Sequence, residues 1–140
     1  MILKLNQYHF LETNIKAAKN KPKEDEVDCE LMASGELYEN PDDASQFQLV
    51  LTVSFKRKAK KPPVPYSGSI KVAGHFSVDP SVPKERMEML LMVNGLSMLY
   101  SSAREHVLSV TSRGPWPPLF IPTVSFNPNA DSIEGKPRKK

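Results

Sequence analysis

The chain has 140 residues and a formal net charge of +3, with 39% hydrophobic and 25% charged residues. This length suits one domain with a single core, and the composition is that of a globular protein rather than a disordered or membrane-spanning one. No apolar run approaches the ~20 residues that cross a bilayer. The first residues lack the pattern of a signal peptide, and Cys29 is the only cysteine, so we expect a cytoplasmic protein without disulfides.

Three segments alternate apolar and polar residues with a period of two, which predicts half-buried strands. They lie at 29–37, 46–55 and 70–78. Short turn-forming sequences connect them and favour antiparallel neighbours in a meander. Residues 2–15 are predicted to form a fourth strand, with a bulge or bend between Leu5 and Tyr8 where the apolar phase changes.

From Pro83 the apolar spacing changes to three and four residues, which predicts a helix. Asn94-Gly95 in its middle predicts a kink or break. The predicted buried stripe comprises Met89, Met92, Leu96, Leu99, Ala103, Val107 and Val110. The other flank is also apolar and includes Met87, Leu90, Leu91 and Val93. A helix of this kind is usually covered on both sides, so we expect a second subunit to supply the second cover.

An apolar, proline-rich segment follows the helix. Gly114 suits the left-handed position just past a helix, and Pro115 cannot continue one. Three prolines and several large apolar side chains fill residues 116–122, which gives a stiff arm that either covers the protein's own core or holds another chain. The predicted fold is α+β: a four-stranded antiparallel sheet, a long kinked helix on one face and an extended C-terminal apolar arm. It forms one domain over 1–126, followed by a disordered basic tail over 127–140.

The sequence shows no catalytic or metal-binding constellation, so we predict a protein that is not an enzyme and binds neither cofactor nor metal. His9, His75 and His106 lack metal-ligand spacing among themselves or with Cys29. Two acidic residues flank Cys29, which disfavours a reactive thiolate, and its place in the apolar alternation indicates a buried structural thiol.

Two basic clusters, within 56–61 and 136–140, account for the excess positive charge. Neither a recognition helix nor an aromatic platform accompanies them. The simpler interpretation is a solvated hairpin tip and a solvated tail, with nucleic-acid binding as the weakest alternative.

Three segments along the helix and arm resemble the SecB export-chaperone family. They are Leu-Tyr-Ser-Ser-Ala-Arg-Glu at 99–105, Ser-Arg-Gly-Pro-Trp-Pro at 112–117 and Leu-Phe-Ile-Pro-Thr-Val-Ser-Phe at 119–126. The family carries a Leu/Phe-x-x-Ala-Arg-Glu helix, an Arg-Gly turn, a proline-containing apolar run and a Pro-x-Asn/Ser-Phe ending. The resemblance implies an ATP-independent holdase that binds unfolded polypeptides, such as secretory preproteins, and passes them to the SecA motor. It also implies a homotetramer, a dimer of dimers with helices packed between sheets.

The C-terminus departs from the family pattern. SecB-like chains end in a long amphipathic helix and an acidic, sometimes zinc-binding, tail, whereas Phe126 is followed here by Asn-Pro-Asn-Ala and a basic tail. Closure of the client groove and binding to SecA therefore stay open. Two alternatives also stay open: a dedicated chaperone of one partner, for example an antitoxin in a toxin–antitoxin system, and a structural or assembly protein that docks permanently through its arm.

The candidate client-binding residues come from the second strand and the arm. They are Leu31, Leu37, Tyr38, Trp116, Phe120, Ile121 and Val124. The candidate residues of the structural and oligomer-forming helix are Leu96, Leu99, Tyr100, Arg104, Glu105 and Val107. Arg104 and Glu105 are either a surface pair or an anchor in which the arginine fixes the arm or a neighbouring subunit through a bidentate contact.

Overall fold

The protein folds into one antiparallel sheet with a helical segment on one side, in a computed structural model that describes residues 2–20, 29–61, 63–126 and 134–137. The strands are β1 (Leu3–Ala17), β2 (Cys29–Glu39), β3 (Gln46–Arg57), β4 (Tyr66–Val78), β5 (Val124–Phe126) and β6 (Glu134–Pro137). Their order in the sheet is β1-β4-β3-β2-β6-β5. The helical segment comprises α1 (Lys84–Leu90), a π-helical turn (Leu91–Gly95) and α2 (Leu96–Thr111). The α+β class, the four long antiparallel strands and the helix on one face are confirmed.

The first strand contains the irregularity that its apolar pattern predicted. β1 pairs with β4, and the register shifts between Leu5 and Gln7 and again between Phe10 and Glu12. A bulge moves the following side chains to the opposite face, so the apolar residues on both sides of the shift reach the same core.

The core lies between the sheet and the helices. Alternate residues of β3 are buried on the helix-facing side: Phe47, Leu49, Leu51, Val53 and Phe55. β4 contributes Ile70, Val72, Phe76 and Val78 to the same core. On the opposite face of the sheet the polar partners in the alternation are half-buried, and Met32 and Tyr38 of β2 are exposed.

The predicted break at Asn94-Gly95 is a π-helical turn, which adds one residue to the helix period. Met87 and Leu91 are four residues apart, but the next buried side chain, Leu96, follows after five. The buried set of the whole helical segment is Met87, Leu91, Gly95, Leu96, Leu99, Tyr100, Ala103, Val107 and Thr111.

The predicted stripe is therefore right for Leu96, Leu99, Ala103 and Val107, but Val110 is only half-buried, and the prediction is wrong before α2. Met89 is 56% exposed, and Met92 is only half-buried, because the π-helical turn rotates the preceding residues relative to α2. Gly95 lets this turn lie against the sheet, since a Cβ atom there would stand 2.6 Å from Leu49 Cδ1.

Strand β6 lies within the segment 127–140 that was expected to be a disordered tail. Its four residues pair with β2 and with β5. A strand edge presents unpaired N–H and C=O groups, and a short segment that follows the arm satisfies some of them here. The structure describes 134–137 as this strand, and the other residues of 127–140 lie outside the described residues, so the expected disorder of the tail stays a prediction.

Candidate functional site

Residues 114–126, which we call the arm, begin at a hydrogen-bonded junction around Tyr66. The Tyr66 hydroxyl accepts a hydrogen bond from the Trp116 N–H at 3.0 Å. It lies within donating distance of the carbonyl oxygens of Trp116 at 2.9 Å and Thr111 at 3.2 Å. Thr111 Oγ1 accepts from the Leu119 N–H at 2.9 Å. One buried tyrosine thus joins the start of β4, the end of α2 and the start of the arm.

Gly114 at this junction serves a different purpose from the one its position predicts. It does not adopt the left-handed conformation, since the described residues with positive φ are Lys60 and Gly68. The last turn of α2 instead tightens, with the Gly114 N–H bonded to the Thr111 carbonyl at 3.1 Å. A Cβ atom on Gly114 would lie 2.3 Å from the Tyr66 hydroxyl oxygen, so glycine is required by close packing.

The rest of the arm runs back along α2 and is held through its main chain. Arg104 Nε donates to the Ile121 carbonyl oxygen at 3.1 Å. The Tyr100 hydroxyl donates to the Pro122 carbonyl, and its ring meets that of Phe126 edge-on at 6.2 Å. Burial raises the pKa of Tyr100, which keeps this hydroxyl protonated as a donor. Arg104 is therefore an anchor for the arm, through one hydrogen bond from Nε, while Glu105 is exposed.

The arm alternates between core and solvent. Leu119, Ile121, Val124 and Phe126 are buried, whereas Phe120 is 73% exposed. Trp116 is half-buried and donates through Nε1 to the Ala18 carbonyl at 2.9 Å. Most of the arm's apolar surface covers the protein's own core, and Phe120 is the large side chain it presents outward.

The three candidate residues on β2 lie on two different faces of the sheet. Leu31 and Leu37 share the helix-facing side, where they are half-buried and pack against the core. Tyr38 lies on the opposite side, is 49% exposed, and donates a hydrogen bond to the Glu36 carboxylate. That hydrogen bond and the negative charge of Glu36 raise the pKa of Tyr38. The seven predicted residues do not form one continuous surface.

Among the described strands, the edge of β2 that faces away from β3 is paired at only two positions. All 11 residues of β2 pair with β3, but only Ala33 and Ser34 pair with β6. Residues 30–32 and 35–39 of β2 pair with no second strand among those that the structure describes. Met32, on the same strand, is 54% exposed, so the open edge carries apolar side chains of its own.

A second apolar surface lies beside the helical segment, where Val82 and Leu90 also pack against the core. Met89 and Ile2 are 56% and 54% exposed. Together with Val82, Leu90 and Val93 they line a groove of about 670 Å³ with Arg86 at its border. Leu90 and Val93 belong to the flank for which the sequence predicted a cover from a second subunit. The other two residues of that flank, Met87 and Leu91, are buried in the core instead.

His106 connects α2 to β1 and was not assigned a role by its sequence context. Its ring stacks on Phe10 at 4.0 Å, and its Nε2 lies 3.0 Å from Thr13 Oγ1. Burial lowers the pKa of His106.

The other two histidines, His9 of β1 and His75 of β4, stack on each other with their ring centres 5.7 Å apart. In the described ranges no group of three or more His, Cys, Asp or Glu side chains is placed to hold a metal ion.

Sequence reasoning missed Tyr66 and Thr111. Thr111 is fully buried and lies four residues after Val107, in line with the buried residues of α2. A polar residue at a position where the helical spacing predicts an apolar one could have pointed to it. Tyr66 is the first residue of β4, and only the folding of the chain brings it to the end of α2.

The first basic cluster lies at the end of β3 and in the following turn, where Lys56, Lys60 and Lys61 are exposed. None of the helices in the described ranges is long and apolar enough to span a membrane.

Comparison with solved structures and with protein-family models identifies the class of protein that has this fold. A SecB-like chaperone of Mycobacterium tuberculosis, solved in complex with a peptide from an antitoxin, matches with a TM-score of 0.67, covering 88% of each chain at 18% identity. The fold is therefore that of the SecB-like chaperones. The family model described as preprotein translocase subunit SecB matches residues 10–128, and the chain belongs to the SecB family.

A curated relative agrees with the family assignment. The protein-export protein SecB of Anaplasma phagocytophilum (strain HZ) is 28% identical over 83 residues, which are 58% of this chain. The match spans about half, 52%, of that protein's length.

Proposed function

We propose that this chain is an ATP-independent holdase that binds unfolded polypeptides in the cytoplasm, with secretory preproteins among its clients. Membership of the SecB family supports this class of function. The observation that carries the proposal is strand β2, whose outer edge pairs with a described strand at only two positions and whose Met32 and Tyr38 side chains are exposed. An extended client can add to such an edge through main-chain hydrogen bonds, which do not depend on its sequence.

Apolar side chains would then add affinity to the main-chain pairing. Phe120, at 73% exposed, is the strongest candidate on the arm, followed by the half-buried Trp116. Leu31 and Leu37, on the helix-facing side of β2, are half-buried and can contribute through the parts of their side chains that remain exposed. Ile121 and Val124 are core residues, so a client reaches them only if the arm moves.

The mechanism is mass action and requires no chemistry. Binding of an unfolded segment lowers the free concentration of chains that would otherwise aggregate. This mechanism uses neither nucleotide nor metal, and no residue is assigned a catalytic role.

We also propose that the working form is a dimer of dimers. The groove around Met89, Leu90 and Val93 and the exposed Ile2 form an apolar flank that a second copy would cover. Exposed apolar patches of this kind are typical of interfaces between proteins. Sedimentation velocity across a range of concentrations tests it, and a Met89→Glu variant is expected to dissociate the assembly.

A second candidate function is a dedicated chaperone for a single partner. The structural neighbour from Mycobacterium tuberculosis was solved with a peptide from an antitoxin, which favours this alternative over a permanent assembly role. A dedicated chaperone binds one peptide saturably and ignores others, whereas a general holdase binds many unfolded chains.

The test is suppression of aggregation. Several chemically unfolded proteins are diluted into buffer with and without this chain, in the absence of nucleotide, and light scattering is followed. We expect suppression that is weakened by Phe120→Ala and by Met32→Ser, but not by Leu11→Ala, which truncates a side chain of β1 that is about as exposed as Met32. If the folded chain suppresses none of the clients, the general holdase is wrong. Suppression of one client alone would favour the dedicated chaperone.

A further inference from the structure

Strand β6 fills a space one strand wide between two other strands. Gly135 pairs with Ala33 and Glu134 with Ser34 on β2. On its other side β6 pairs with β5, through Val124–Pro137, Ser125–Lys136 and Phe126–Gly135. Neighbouring strands lie about 4.8 Å apart, so β2 and β5 are separated by about 10 Å, the width of a single inserted strand. We call this space the slot.

β5 is held in place by contacts that do not involve β6. Val124 and Phe126 are buried, and the Phe126 ring packs edge-on against Tyr100. The preceding Pro122 carbonyl accepts a hydrogen bond from the Tyr100 hydroxyl. The slot therefore keeps both of its edges when β6 leaves, and each edge offers main-chain donors and acceptors to a new strand.

The sequence of β6 makes it a weak occupant. It reads Glu-Gly-Lys-Pro. Glycine and proline are both depleted in strands, and proline has no N–H to donate to a neighbour. Only two of its residues pair with β2. A client segment rich in β-branched and aromatic residues would fill the slot with higher strand propensity and a longer ladder.

Charge helps to keep this weak strand near the slot. β2 carries Glu30, Glu36 and Glu39 and no lysine or arginine. Residues 134–140 carry four basic residues and one acidic residue. The three glutamates are exposed, so salt screens this attraction, and the covalent link keeps the local concentration of the tail high.

We propose that Glu134–Pro137 is an intramolecular placeholder that occupies the client slot and is displaced when an extended apolar segment binds. This inference rests on the proposed holdase function and concerns the regulation of its site. The placeholder covers the edge of β2 at Ala33 and Ser34 in the absence of a client. It sets a threshold, because only segments that form better strands than β6 displace it. The apparent affinity for clients is lowered by the fraction of molecules in which β6 is in place.

A reversible cross-link tests the proposal. Ser34 of β2 and Glu134 of β6 are paired directly, so the double variant Ser34→Cys, Glu134→Cys places two cysteines opposite each other. A Cys29→Ser background leaves no other cysteine. Binding of a fluorescent peptide with alternating valine and threonine is measured by anisotropy, with the protein oxidised and then reduced. We expect the oxidised form to bind at least about tenfold more weakly than the reduced form. The two single-cysteine variants, treated in the same way, control for oxidation itself.

A truncation after Phe126 provides a second and independent measurement. It removes β6 and the basic residues while keeping the arm, and we expect it to bind the peptide more tightly than the full chain does. Equal binding by the oxidised and reduced forms, or no gain on truncation of a protein that still folds, would overturn the placeholder while leaving the holdase intact. If neither the full nor the truncated chain binds peptide or suppresses aggregation, the proposed function fails, and the placeholder fails with it.

Discussion

Replacing Tyr66 by phenylalanine should release the start of the arm from the rest of the fold. The Tyr66 side chain is 2% exposed, and its hydroxyl lies 3.0 Å from the Trp116 nitrogen and 2.9 Å from the Trp116 oxygen. It is also 3.2 Å from the Thr111 carbonyl at the end of α2. The substitution keeps the ring and removes only the atom that joins these groups.

The expected cost follows from the groups that lose their partner. Leaving a buried donor or acceptor unsatisfied costs about 1–3 kcal/mol, and we take about 2 kcal/mol because part of the Trp116 backbone can reach water. Unfolding entropy is roughly 2.1 cal/mol/K per residue, so a chain of 140 residues changes its Tm by about 3–4 °C per kcal/mol. Tyr66→Phe should therefore lower the Tm by about 7 °C.

Thermal unfolding followed by circular dichroism measures this change, at one fixed protomer concentration because association also shifts the Tm. Trp116 is the only tryptophan in the chain, so its fluorescence reports on the arm directly and should shift to longer wavelength as the indole gains contact with water. Tyr8→Phe is the matched control, since Tyr8 is 46% exposed and its ring contact with Phe10 is retained. A Tm and an emission spectrum equal to those of the control would refute the role of the Tyr66 junction.

Three further predictions concern neighbouring contacts. Gly114→Ala should lower the Tm because its Cβ would lie 2.3 Å from the Tyr66 hydroxyl, and the loss should shrink in a Tyr66→Phe background, as a double-mutant cycle would show. Arg104→Gln removes the hydrogen bond to the arm and should speed proteolysis within it, whereas Glu105→Gln, at an exposed neighbour, should not. Burial lowers the pKa of His106, so the folded state takes up its proton less readily than the unfolded state. The free energy of unfolding should therefore be highest above the unfolded pKa of about 6.5 and fall as the pH drops from there toward the lower pKa of the folded state. His106→Gln should reduce this acid-induced loss of stability, as measured by urea unfolding at several pH values.

The strands were predictable because their signal is local. A period of two over several residues is sufficient to assign β3, and the phase change in the first strand corresponds to real shifts in the pairing of β1 with β4. The class of the fold follows from the switch of period at Pro83. These features depend on the spacing of residues close together in the chain.

The errors come from features that only the folded chain defines. A constant helical period assigned Met89 to the core, but the π-helical turn adds one residue and turns Met89 to the outside. Gly114 was assigned to a left-handed cap because that is the common local reason for glycine after a helix, whereas its contact is with Tyr66, 48 positions earlier in the chain. β6 carried no strand signal, because glycine and proline disfavour strands and its pairing partner lies far away in sequence.

The way in which the arm is attached bears on which of its residues are free to serve function. Tyr66, Thr111 and Arg104 bind the main chain of the arm: the N–H and carbonyl of Trp116, the N–H of Leu119 and the carbonyl of Ile121. Attachment through the main chain does not depend on the outward side chains. Removing the exposed Phe120 ring should thus cost little stability, since a side chain that is 73% exposed buries little apolar surface. The proposed place of Phe120 in the client surface can therefore be tested by Phe120→Ala, because a loss of client binding would not be confounded by a loss of stability.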